Sequence, residues 1–148
     1  MEFSELIADF AARHDVADLV ADGNAAALDI DGIVVAIVAS DDKVTISSDI
    51  GEPPVDGHAD FADLLLEASL QADAFFAKAS ELGAYVAVRR LALNSIDAEA
   101  FDTALESFVN QVETWRRLLA DFRPAAKAAA ERAEEEKPSF GTNSFMQV

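Results

Sequence analysis

The spacing of apolar residues changes several times along the chain, and each change marks an element. Phe3, Leu6, Ile7 and Phe10 recur at steps of three and four, which predicts a helix from Phe3 to about His14. Ser4 is its expected N-cap, and Glu5 and Asp9 put negative charge near the helix start, where the dipole favours it. Asp22-Gly23-Asn24 then breaks the chain. Residues 25–48 alternate instead, and predict a three-stranded meander. Asp31-Gly32 is a strong two-residue hairpin signal because type I′ turns need positive φ, and Asp41-Asp42 is a weaker second one. If those pairs are the loops, Ile30 faces Ile33, Leu28 faces Val35, Ala26 faces Ile37, Ala39 faces Val44 and Ile37 faces Ile46. Directly paired residues share a sheet face, so these nine form one apolar face, the expected core. The other face collects Ala25, Ala27, Asp29, Val34, Ala36, Val38, Lys43, Thr45 and Ser47. It is polar on the outer strands and apolar only along the middle one.

Gly51-Glu52-Pro53-Pro54 ends the third strand, since proline cannot continue the ladder. A second helix is expected at about Ala59–Ala72, with Phe61, Leu64, Leu65, Leu66 and Ala68 apolar. Phe75–Leu82 and Ala84–Leu93 read as a second hairpin turning near Gly83. The last helix starts after Asp97, a good N-cap, and carries Phe101, Leu105, Phe108, Val112, Trp115, Leu119 and Phe122 at alternating steps of four and three. Such a seam suits a coiled coil or a long helix laid across a sheet; three repeats without a partner helix favour the sheet. Pro124 ends it. These elements give an α+β fold of order α-β-β-β-α-β-β-α, an antiparallel sheet packed with helices. The expected division is a domain over 1–123 and a helical extension with a mobile tail over 124–148.

Charge narrows the partners. The formal net charge is −17, and the 148 residues carry it unevenly: −15 over residues 1–88 and −2 over residues 89–148. Binding to nucleic acid rests on Lys and Arg neutralising phosphates, so no nucleic-acid partner is expected, nor an anionic membrane surface. No apolar run reaches the roughly 18–20 residues of a membrane span, and Met1-Glu2-Phe3-Ser4-Glu5 is acidic where an export signal is basic. A cytoplasmic protein is the simplest expectation. An acidic body suits a basic or neutral partner.

Little in the chain suggests chemistry. With no cysteine there is no disulfide, thiolate nucleophile or cysteine metal site. His14 and His58 are the two histidines, and no metal-ligand spacing surrounds either, so no metal site is expected. Asp29-Ile30-Asp31-Gly32 resembles the nucleophile motif of haloacid-dehalogenase-type phosphatases, in which one Asp attacks phosphorus and the second acts as acid and base. Ile33 stands where that motif wants a hydroxyl residue, and an Asp-Gly hairpin explains the pair better. No catalytic residue is assigned. Arg89 and Arg90, adjacent on a strand, point to opposite faces, one toward the core layer or an interface and one toward solvent.

Tyr85–Leu119, YVAVRRLALNSIDAEAFDTALESFVNQVETWRRLL, resembles the class I type III secretion chaperones, the family of the Tir chaperone. The features are a strand with paired basic residues, a Leu-x-Leu, an Asp-led helix and a Phe-Val shortly before a Trp. The Asp31-Gly32 hairpin and Phe61–Leu70, FADLLLEASL, extend the resemblance to about residues 3–122. These are packing motifs and speak to fold more than to function. The resemblance implies a cytoplasmic homodimer, without cofactor, that binds an extended segment of a secreted effector and holds it unfolded for export. Effector contacts are expected on the first helix (Phe3, Leu6, Ile7, Phe10) and the second sheet face (Val34, Ala36, Val38). The dimer interface is expected at Leu64, Leu66, Phe75, Val88 and Arg89. The alternative is a regulatory or sensory interaction protein on the same fold, with no secretion client.

Overall fold

A computed structural model describes residues 2–16 and 18–123. The elements follow in the order α1 (Phe3–His14), β1 (Val20–Asp22), β2 (Ala25–Ile30), β3 (Ile33–Ser40), β4 (Lys43–Gly51), α2 (His58–Gln71), β5 (Phe75–Ala79), β6 (Ala84–Ala92), a 3₁₀ turn (Leu93–Ser95) and α3 (Ala98–Ala120). The strands form one antiparallel sheet of order β1-β2-β3-β4-β6-β5. The extension over 125–137 and the tail over 138–148 lie outside the described residues.

The hairpin chemistry sets the register. Asp31 and Gly32 have φ of 53° and 85°, and Asp41 and Asp42 have 50° and 63°, so both turns take the positive φ that a two-residue loop demands. Asp29 Oδ1 accepts a 2.8 Å hydrogen bond from the Gly32 amide and clamps the first turn. Ile30 pairs with Ile33, Leu28 with Val35, Ala26 with Ile37, Ala39 with Val44 and Ile37 with Ile46, as the turn positions require.

Two local expectations need correction. Glu2, not Ser4, stands at the N-cap of α1, and no side chain caps that end. The break at Asp22-Gly23-Asn24 is itself a tight turn that adds β1 to the sheet: Val20 pairs with Ala27 and Asp22 with Ala25. A three-residue strand is too short to display an alternation.

The three described helices all contribute to one side of the sheet. Leu28, Val35, Ile37, Val44 and Ile46 are fully buried there, beneath Leu6 of α1, Phe61 of α2 and Phe101, Leu105, Phe108 and Val112 of α3. Each such side chain contributes about 1.5–3 kcal/mol on burial. The seam of α3 therefore crosses the sheet, packing chiefly on β4, rather than pairing with another helix. Asp97 caps α3 as expected, its carboxylate accepting from the Ala100 amide at 2.8 Å. Phe10 meets Phe101 edge to face, with centroids 5.8 Å apart. Phe61, Phe76, Trp115 and Phe122 make a second aromatic group between α2, β5 and the end of α3. Ser69 ties α2 to β5: its hydroxyl donates to the Leu65 carbonyl and accepts from the Phe76 amide.

Candidate interaction surface

Among the described residues, no helix lies on the opposite side of the sheet. Because paired residues share a face, the registers trace one row across the whole open face: Val20, Ala27, Ala36, Ser47, Val88, Phe75. A parallel row runs Asp22, Ala25, Val38, Thr45, Arg90. Val34 is 57 % exposed and Val38 46 %, whereas Val35 and Ile37, their neighbours on β3, are fully buried. Ala36 is exposed between them. The three sheet residues expected to contact an effector are thus brought together on accessible surface.

The α1 residues are not. Phe3, Leu6, Ile7 and Phe10 are all buried, at 6 % exposure or less. This corrects the expectation that they offer a contact surface: helical spacing identifies an apolar stripe, and α3 and the sheet cover this one.

The expected interface residues divide in the same way. Leu64 and Leu66 of α2 are exposed, as is Leu70 one turn further on. Phe75 and Val88 are half-buried and pair directly across β5 and β6 on the open face. They therefore lie on the same sheet face as Val34, Ala36 and Val38, so the two expected surfaces are continuous. Arg89 lies on the opposite, helix-covered face, paired with Ile46. Its Nη1 donates to the Ala104 carbonyl at 3.5 Å and its Nη2 is 3.8 Å from the Asp73 carboxylate. Arg90 is the member of the pair on the open face, with its guanidinium carbon 5.2 Å from the centre of the Phe75 ring. The alternation of Arg89 and Arg90 was readable; which of them faces outward was not.

One cluster of charges ties two helices together. Arg13 donates to both carboxylate oxygens of Asp102 and, at 2.7 Å, to Asp9, while His14 Nε2 is 3.1 Å from Asp102. The cluster pins the end of α1 to α3. The Arg13 guanidinium holds the Asp102 carboxyl below its ordinary value, against the opposing effect of burial. Arg13 is correspondingly held charged more firmly. Burial raises the Tyr85 hydroxyl. Asp29 is engaged by the hairpin amide, which fits a turn residue rather than a nucleophile. Among the described residues, no group of three or more His, Asp or Glu side chains is arranged to hold a metal ion, and no helix is long and apolar enough to cross a membrane.

Residues 5–116 match the model of the Tir chaperone protein (CesT) family. The chain belongs to that family. The family's fold recurs in solved structures of low sequence identity. The ExsC–ExsE complex contains a chain with TM-score 0.67 and 20 % identity, the match covering 82 % of this chain and 93 % of that one. The HopA1–SchA chaperone–effector complex gives 0.65 and 13 %, covering 78 % and 93 %. The Yersinia pestis type III secretion chaperone SycH, solved with a stable fragment of YscM2, gives 0.62 and 17 %, covering 77 % and 99 %. No curated protein matches the chain. The α+β architecture inferred from the hydropathy pattern is the family's.

Proposed function

We propose that this protein is a type III secretion-type chaperone: a non-catalytic, cytoplasmic homodimer, needing no cofactor, that binds an extended segment of a secreted effector and holds it unfolded for export. The observation that carries the reading is the open sheet face. Among the described residues, nothing covers Val34, Ala36 and Val38 on the middle of the sheet or pairs with the edge strand β1. An extended client can add to such an edge through backbone hydrogen bonds and set alternate side chains against the apolar row. The −15 charge over residues 1–88 keeps this surface from self-association while favouring partners that are not acidic.

The second copy is proposed to engage Leu64, Leu66 and Leu70 of α2 together with Phe75 and Val88 at the other end of the row. The client then takes the β2–β3 side of the open face, and the second copy takes the β5–β6 side and reaches round the β5 edge to α2. Arg90, rather than Arg89, is the cation available to that interface.

The test is co-expression with secreted proteins encoded beside this chain. A stable complex with an N-terminal effector fragment, lost in Val34→Asp/Val38→Asp, is the expected result. If no secreted protein binds, the secretion role fails and the regulatory reading of the fold replaces it. Sedimentation of the free protein should give a dimer, and a monomer at high concentration would remove the dimer from the proposal.

A further inference from the structure

The two longest stretches of the chain without a charged residue are 32–40 and 138–148. The first contains β3, whose outward residues Val34, Ala36 and Val38 stand exposed. The second reads Pro-Ser-Phe-Gly-Thr-Asn-Ser-Phe-Met-Gln-Val. In an extended backbone alternate residues share a side, so Phe140, Thr142, Ser144, Met146 and Val148 would fall together, with Phe145 on the other side. The end of α3 stands at the end of the sheet where β3 begins. Arg116 donates to the Asp49 carbonyl at 2.9 and 3.0 Å, and Leu119 overlies Gly51. The Ser48 hydroxyl, next to Asp49, donates to the Val34 carbonyl at 2.8 Å.

We infer that residues 138–148 of the same molecule lie extended over Val34, Ala36 and Val38, with Phe140 and Met146 against them. Reach, charge and pattern converge on this occupant. Residues 124–137 span about 21 Å even at the helical rise, which is enough to round the sheet end, since layers at a sheet are spaced about 10 Å apart. Residues 138–148 extended cover about 36 Å, against about 13 Å from Val34 to Val38. On a chain of net charge −17 an acidic occupant meets repulsion, and any charged one loses hydration over apolar side chains. This segment carries neither cost. A tether of this length holds its end at an effective concentration in the millimolar range, so a weak contact suffices. The occupancy requires only the exposed row, not a secreted client; a client that uses the same row has to displace the segment.

The test uses the full chain with labelled methyl groups and a soluble nitroxide, which broadens the signals of accessible methyls. In Phe140→Ser/Met146→Ser, broadening at Val34 and Val38 should rise at least threefold over the unsubstituted chain, while the buried Val35 and Ile37 stay shielded. Phe145→Ser should leave Val34 and Val38 close to their original values. Mixing the labelled double variant with an excess of unlabelled, unsubstituted chain should not restore the shielding. No rise in the double variant, or an equal rise in Phe145→Ser, overturns the inference. Restored shielding in the mixture also overturns it, because the segment would then come from another copy. So does loss of shielding at Val35 and Ile37, because the segment would then hold the core rather than cover a face.

Discussion

Strand β3 belongs to two surfaces at once. Ile33, Val35, Ile37 and Ala39 are buried under the helices, while Val34, Ala36 and Val38, between them, face outward. The two sets are almost equally apolar, so hydropathy along β3 does not say which is core. The flanking strands do. On the covered side their residues are Ala26, Leu28, Val44 and Ile46; on the open side they are Ala25, Ala27, Thr45 and Ser47. The helices complete the distinction, because the stripes of α1 and α3 are spent on the covered face alone. Apolar residues that none of the described elements covers are what an interaction protein has to offer a partner.

The largest expected effect lies at the centre of the covered face. Phe101 is fully buried on α3 and meets Phe10 of α1, so Phe101→Ala should cost about 3–5 kcal/mol in denaturant unfolding. A cost below 1 kcal/mol would mean that α1 and α3 are not packed on the sheet as described. Next is the point where β4 passes under the end of α3. Gly51 has φ of 127°, the ladder with β6 slips a residue there, and an added Cβ would lie 2.8 Å from Leu119 Cδ2. Gly51→Ala should destabilise by about 1–3 kcal/mol. The Leu119 branch can move aside, so Gly51→Ala in a Leu119→Ala background should keep most of that penalty. Full recovery there would assign the cost to the contact rather than to the backbone.

The sequence made the covered face legible to a depth that the open face did not share. Two Asp-led turns determined the pairing of β2, β3 and β4, because a two-residue loop leaves no freedom of register. Asp97 and the four–three seam located α3 to within a residue or two at its start. What escaped was tertiary. Nothing in Phe3, Leu6, Ile7 and Phe10 separates a helix stripe that packs at home from one that waits for a client. Val20 joined the row only through a strand of three residues. Arg89 and Arg90 could be assigned to opposite faces but not to particular ones, since that depends on the register of β6 against β4, which no turn connects directly.

A smaller effect is expected at the rim of the covered face, where Arg13 and His14 bind Asp102. The carboxyl of Asp102 is held below its ordinary value of 3.8, chiefly by the Arg13 hydrogen bond. A group with a depressed folded pKa binds its proton more weakly in the native state than in the unfolded one. Its stabilisation is therefore complete above the unfolded value and disappears as pH falls through the lower, folded one. Asp102→Asn should lower Tm modestly at neutral pH, and the gap to wild type should close as pH falls below the ordinary carboxyl value and through the lower, folded one. A gap that persists unchanged in acid would mean that Asp102 acts through packing, not through charge.

The smallest effect is expected on the open face, and set against its buried neighbour it tests the comparison most directly. Val34 and Val35 are adjacent, identical and on the same strand. Val35→Ala, on the covered face, should cost about 1.5–3 kcal/mol, and Val34→Ser/Val38→Ser, on the open face, should stay within about 0.5 kcal/mol. Unfolding at two protein concentrations makes the contrast sharper. If the open-face pair matters only when the protein is concentrated, a second copy covers this end of the row, and the proposed division between client and partner subunit is wrong. If it matters equally when dilute, the face is covered within the chain itself. If it matters at neither concentration while the effector complex is lost, Val34 and Val38 belong to recognition and not to the fold.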